Sequence, residues 1–419
     1  MNRGPTGGGT GAIGGTGAIE GTGAIEGTGA MLDHSMSRAV AAVARAVLEV
    51  GPLAESMEPP LPVAGPSRAE PVLRRIAGRV GAPWFSVVPP AAVAELDPIA
   101  RVVSDRLDLR TYGEVLATVP VDDLTVVDRE VDDTVAVDFM SFCRTVLVCG
   151  DGGIRLRAYT AGDPSAPAVV IAPACGMPAR LAENWVRALA TDRYVVLWES
   201  RGLFLDFDDF DAPTGVEAQA GDLFAVMDQL GVGSAHVAGL CGGAVVALAA
   251  ARRHPERVTS LSLWHGDFDL GPDTPKTDHQ RNLQALMAMA TKTRVNASAI
   301  HMTLSNAMVD GVRPELAHLV LYPYVTAERL FRYCQLNGAI MGTDVSAWLP
   351  GTRQPTLVVT STDDSTAHPD ASRLVASALP DARLEVLPHG DHISLFEWPP
   401  EGLFARLREL SGPRGRGWA

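Results

Sequence analysis

Lysine is almost missing from this 419-residue chain: Lys276 and Lys292 are the only two among 35 basic residues, set against 49 acidic ones for a formal charge of −14. Nucleic acids and anionic membrane surfaces are gripped by clustered positive charge, so neither is expected as a partner. No stretch approaches the ~20 apolar residues that cross a bilayer, and no charged, apolar and small-residue leader is visible, so neither a membrane span nor a targeting segment is expected. Cysteine is scarce and odd in number, at positions 143, 149, 175, 241 and 334. Such a scattered set does not read as a secreted disulfide framework and points to a reducing, cytoplasmic compartment. Metal-ligand spacing of His and Cys is also lacking, so no metal and no cofactor are expected.

What is present is apolar: 47% of residues are hydrophobic, enough for one large or two ordinary domains with a substantial core. Residues 1–30 repeat the unit GTGAIG/GTGAIE, a low-complexity glycine-rich tail expected to be disordered. "SRAVAAVARAVLEV" (37–50) has helical apolar spacing and leads into the proline-broken "EPPLPVAGP". Residues 31–140 are therefore expected to be a helical N-terminal extension with a linker, packed on the main domain.

After residue 145 short β-rich runs ("IRLRAYTAG", "APAVVIAP", "RYVVLWES", "AHVAGL", "VTSLSLWH", "PTLVVTST", "ARLEVLPH") alternate with helical ones. That alternation predicts an α/β domain over 145–411: a mainly parallel sheet with helices on both faces. Residues 270–350 separate two strands by far more than a crossover needs and are rich in helix formers, so a helical cap insertion is expected there.

The segment "AHVAGLCGGAVVALAAARRHP" places Gly239-Leu240-Cys241-Gly242-Gly243 between a strand and a helix. A side chain on such a sharp turn projects from the sheet edge, with the following helix N-terminus favouring a thiolate. This elbow, "ESRGLF" (199–204) and "HGDHISLFEWP" (389–399) together resemble the α/β-hydrolase fold superfamily, in a variant whose elbow serine is replaced by cysteine. The resemblance spans about 150–411 and implies the order nucleophile, acid, histidine. It makes Cys241 the nucleophile and His392 the base, with His389 as the neighbour to be told apart. For the acid, "STDDSTAHP" offers Asp363 and Asp364, of which the pattern points to Asp364. Some thioesterase-like members take the acid one strand earlier, which makes Asp267 the alternative.

An oxyanion hole would combine the Gly242 N–H with a donor from Cys175 or Gly176 in "APACGMPARL", where the superfamily usually carries His-Gly. The Cys175 thiol could also approach Cys241 to form a disulfide or hold a metal; a backbone donor or small buried residue is the simpler role. Cys143, Cys149 and Cys334 have no motif around them and read as buried, inert thiols. "FLDFDDFDAP" lacks the glycine and terminal glutamate of a calcium loop and reads as a solvated loop.

The expected activity is acyl transfer by a Cys-His-Asp triad through an acyl-thioester, as an esterase, thioesterase, acyltransferase or cyclase acting on a small-molecule or carrier-protein-bound acyl substrate. Two alternatives stand beside it. "CGMPARLAENW" with "WESRGLF" resembles α/β-hydrolase-like tailoring proteins of bacterial polyketide pathways, some of which eliminate acetate from tetronates. The third is a binding protein that keeps the fold without the chemistry. Oligomeric state is open.

Overall fold

The computed structural model describes residues 23–82, 85–205, 207, 210–397 and 401–412. The glycine-rich repeat therefore lies outside the described residues up to position 22, and from Gly23 onward the chain is already helical.

Ten strands are described: β1 (Leu61–Ala64), β2 (Phe85–Val88), β3 (Arg144–Cys149), β4 (Arg155–Ala161), β5 (Ala168–Ala172), β6 (Tyr194–Trp198), β7 (Ala235–Leu240), β8 (Val258–Trp264), β9 (Thr356–Ser361) and β10 (Ala382–Leu387). The helices of the N-terminal region are α1 (Gly23–Ala54), α2 (Glu70–Val80), α3 (Pro98–Leu107), α4 (Leu109–Leu116), α5 (Thr125–Ala136) and α6 (Phe139–Phe142). The sheet domain adds α7 (Glu183–Leu189), α8 (Val216–Gln229) and α9 (Gly243–Arg253). The insertion between β8 and β9 carries α10 (Asp278–Ala290), α11 (Arg294–Gly311), α12 (Pro314–Val320) and α13 (Ala327–Met341), and the chain closes with α14 (Pro369–Ala378) and α15 (Glu401–Leu410).

β3 to β10 form one sheet in the order β10-β9-β8-β7-β5-β6-β4-β3. The six strands from β10 to β6 run parallel, and β4 and β3 add an antiparallel edge. β7 is buried along its whole length, which is why it lacks the polar–apolar alternation of a half-buried strand and carries its one polar side chain, His236, bonded inside. One face of the sheet carries α8 and α9, the other α7 and α15, where Trp185 meets Trp264 and Phe404 edge-on with ring centroids 4.6 and 5.2 Å apart. β3, unread in the sequence, is an exposed edge strand, and it exposes Cys149, which corrects its reading as a buried thiol.

The N-terminal extension is more than helix and linker. The proline-flanked Leu61–Ala64 is a strand paired in parallel with Phe85–Val88, apart from the main sheet. In α1, Val40, Val43, Val47, Val50 and Leu53 recur every three or four residues and are fully buried against α2, α4 and α5. Each such side chain stabilises the packed state by about 1.5–3 kcal/mol relative to exposure. α1 and α3 also pack on α12 of the cap, so the extension and the insertion are clasped together.

Candidate active site

The elbow forms as the sequence requires. Cys241, between the last residue of β7 and the first turn of α9, has a φ of 55°, a left-handed conformation that side chains rarely adopt. Its N–H donates to the Trp264 carbonyl (2.9 Å) and its carbonyl accepts from Ala244 (3.0 Å), which fixes the turn on both sides. A Cβ at Gly239 would strike the Ala244 backbone and one at Gly243 would strike the Ala172 carbonyl, so both positions admit only glycine without backbone movement.

Three strand ends deliver the other groups. Asp364, just past β9, is fully buried, and its Oδ1 accepts the backbone N–H groups of Thr366 (2.9 Å) and Ala367 (2.8 Å). Its Oδ2 accepts from two imidazoles: His392 Nδ1 at 3.0 Å and His265 Nδ1 at 2.8 Å. Burial works against the Asp364 anion, but the charges and hydrogen bonds of His392 and His265 outweigh it and hold the carboxyl far below the usual carboxylate range. His392, after β10, is pulled in the opposite sense. Burial would lower its pKa, yet the Cys241 sulfur and the Asp364 carboxylate raise it well above the ordinary histidine value. Its Nε2 is buried close enough to Cys241 to couple to that sulfur, but lies outside hydrogen-bonding geometry and has no other partner among the described residues. The loop carrying it is tied down by Trp185 Nε1 donating to the Leu395 carbonyl (2.8 Å), by Ser361 Oγ donating to the Gly390 carbonyl, and by Arg313 of the cap on Asp391 (2.9 Å).

Asp267, the alternative acid, faces elsewhere: its Oδ1 accepts from Gln280 Nε2 (2.5 Å), the side chain that completes the capping box of α10. Burial pushes its carboxyl up, against the pull of Gln280, His392 and Lys276. His389 and Asp363 face each other at the surface (3.4 Å), with the His389 side chain 89% exposed, away from the buried cluster.

For an oxyanion, the Gly242 N–H lies at the start of α9. Of the two donors expected from the loop after β5, Cys175 and Gly176, the Gly176 N–H donates to Ser200 Oγ (2.8 Å), as the turn after β5 packs on the turn after β6. All five cysteines are free thiols, so Cys175 and Cys241 are not bridged. Burial pushes the Cys175 thiol up to about 12, with the nearby Cys241 adding to it and Ser200 opposing. Cys143 and Cys334 are likewise buried and pushed up to about 12.

"ESRGLF" is scaffold. Arg201 is almost wholly buried and grips both oxygens of Asp222 (2.6 and 2.7 Å) as well as the Pro213 carbonyl (2.6 Å). Glu199, deep under the same turn beside Arg157, is raised by burial to about 7. Asp206, Asp208 and Asp209 of the acidic loop lie outside the described residues.

The cap closes over the elbow. A Cβ at Gly242 would lie 3.3 Å from Ile340 and 3.4 Å from Asn337, and one at Gly176 would lie 2.7 Å from the Tyr333 ring, all three residues of α13. His265 is the residue that sequence reasoning missed. It sits in "WHGD", two positions before the Asp267 that was weighed, and only the spatial meeting of the β8 and β9 ends reveals it. His265, Asp364 and His392 place one ligand atom each within 4.8 Å of one another, a donor set that could hold a divalent cation, although here the carboxylate oxygen takes both imidazoles as hydrogen-bond donors.

No family model matches this chain. It is 28% identical over 238 residues to "Putative carbamate hydrolase RutD" of Caulobacter sp. (strain K31), covering 54% of this chain and 84% of that protein. A 27% identity over 256 residues links it to "Polyketide synthase ThaQ" of Burkholderia thailandensis, over 58% of this chain and 11% of that one. Among solved structures, the enol-lactonase from Burkholderia xenovorans LB400 superimposes with a TM-score of 0.50 at 24% identity, covering 62% of this chain and 97% of that one. The chain has the α/β-hydrolase fold. Within an α/β-hydrolase fold the ends of β7, β8, β9 and β10 meet at one edge of the sheet, and that edge holds Cys241, His265, Asp364 and His392. No helix of the described residues is long and apolar enough to cross a membrane.

Proposed function

We propose that this protein is an acyl-transfer enzyme in which Cys241 is the nucleophile, His392 the base and Asp364 the acid. The observation that carries the reading is His392 itself, with one ring nitrogen fixed on a buried carboxylate and the other left to the sulfur on the elbow. The hydrolase names of the relatives support the reaction class.

His392 takes the thiol proton and the resulting thiolate attacks an ester or thioester carbonyl. The oxyanion rests on the Gly242 N–H, with the Cys175 backbone as second donor. As the carbonyl re-forms, the bond to the leaving oxygen or sulfur breaks, and His392 returns its proton to that atom. An acyl-thioester on Cys241 remains, and water, deprotonated by His392, releases the acid and restores the thiol; an amine or alcohol in place of water gives transfer. A thioester is more open to such nucleophiles than a serine ester. The polyketide-synthase relative supports a natural-product acyl substrate.

Intact-mass labelling with iodoacetamide across pH, on the wild type, Cys241→Ser and His392→Ala, tests the dyad. A single fast adduct on Cys241 that slows without His392 is expected, followed by a trapped acyl adduct with a short-chain acyl N-acetylcysteamine thioester. Labelling of Cys241 no faster than that of exposed Cys149 would overturn the reading.

A further inference from the structure

A second feature lies away from the elbow, where the extension, the cap and the sheet domain meet. There a cavity of about 500 Å³ is walled by α1 and α3 of the extension, by α7, by the turn at Arg180 and by α12. Its volume falls in the range of small-molecule sites. His318 on α12 lines it and is 2% exposed, yet neither of its ring nitrogens has a hydrogen-bond partner among the described residues. Nε of Arg106 is buried in the same wall and equally unpartnered.

The two guanidiniums nearest His318 are already matched. Arg106 pairs with Glu49, and Arg180 makes two bonds to Asp138 (2.7 and 2.8 Å). What is missing is therefore not a counter-ion but hydrogen bonds. A neutral imidazole offers one donor and one acceptor, and Arg106 Nε–H adds a second donor. Leaving such groups dry and unpaired is costly, so a ligand that completes them gains what the empty cavity lacks. A group that both accepts and donates is complementary: a hydroxyl or an amide. Leu316, Leu319 and Phe396 form the apolar side of the cavity, and the cluster they belong to also packs Cys241.

We propose that this cavity binds an uncharged chain bearing hydroxyl or amide groups, held by His318 and Arg106, with its apolar part against Leu319 and Phe396. Burial and the neighbouring Arg106 and Arg180 guanidiniums keep His318 neutral, which preserves its acceptor. The N-terminal extension is then part of the binding site. The proposal rests on the acyl-transfer reading only for the fate of the bound chain, so it is tested without chemistry.

Full-length protein carrying Cys241→Ala is titrated calorimetrically with two neutral probes: N-ethylpantothenamide, the amide-rich arm that a carrier protein would present, and methyl 3-hydroxyoctanoate, a hydroxylated free acyl chain. Saturable binding of either is expected, weakened about tenfold by His318→Phe and by Arg106→Lys, each of which removes unpaired nitrogen without leaving a large void. The probe that binds identifies the source of the chain. Absence of saturable binding by both, or binding indifferent to both substitutions, would overturn the site. Tighter binding of pantothenate than of its neutral amide would overturn the uncharged class. Because the thiol is absent throughout, failure here leaves the dyad standing, and failure of the dyad leaves the binding result standing.

Discussion

His392 and His318 are both buried histidines, and the molecule drives them to opposite charge states. His392 ends a chain of matched partners at the sheet edge, where a sulfur and a carboxylate keep its proton well above the ordinary range. His318 faces two guanidiniums in the extension–cap cavity, where burial first and then Arg106 and Arg180 lower it to about 3. A third histidine separates burial from unmet bonding: His236, inside β7, is also lowered by burial to about 3, yet its ring bridges Ser260 (2.8 Å) and Ser262 (2.9 Å) and is complete. Depth alone does not distinguish these residues. The charge on the nearest partner, and whether both nitrogens are answered, does.

The strongest way to break this contrast is to remove the anion at the sheet edge. Asp364→Asn takes away the charge that both His265 and His392 share, and turnover of a thioester substrate is expected to fall by about 10³–10⁴ in kcat, with iodoacetamide labelling of Cys241 slowing in parallel. His265→Phe removes one of two donors from Oδ2. Asp364 then becomes more basic and holds the His392 proton more firmly, so kcat is expected to drop about 10–100-fold while the upper pH break of Cys241 alkylation moves higher. An unchanged break would mean that His265 merely fills space.

Stability against pH sharpens the comparison with the most gradual effect, spread over several pH units. His318 is lowered in the folded chain, so unfolded protein binds a proton that folded protein refuses as pH falls from 6.5 towards 3. The wild type is expected to lose stability relative to His318→Phe by about 1.4 kcal/mol per pH unit across that window, read from urea midpoints. For His392 the sign reverses. Its raised pKa contributes stability that is fully present below the ordinary histidine value and is lost as pH rises through the raised one. The gap between wild type and His392→Ala should therefore close on the alkaline side.

Much of this was legible from residue order. The alternation after residue 145 specified seven of the eight strands of the main sheet, and the long gap after "VTSLSLWH" marked the cap. β3 escaped because an exposed edge strand is freed from the apolar alternation that a half-buried one must show. β1 escaped because prolines, tolerated on a short separate strand, read as linker. Within the cluster, the elbow glycines, the "STDD" turn that points to Asp364 and the "HGDH" loop carry local signatures, whereas His265 depends on where strand ends 99 residues apart come to rest. The bond from the Gly176 N–H to Ser200 is hidden for the same reason, since Ser200 comes from the neighbouring turn.

α1 and α3 grip α12, and α12 belongs to the insertion that roofs the elbow. The insertion over the elbow is therefore anchored by residues of α1 and α3, far in sequence from the thiol it covers. The order of synthesis gives the same fact a second meaning: α1 and α3 emerge from the ribosome before the insertion they hold.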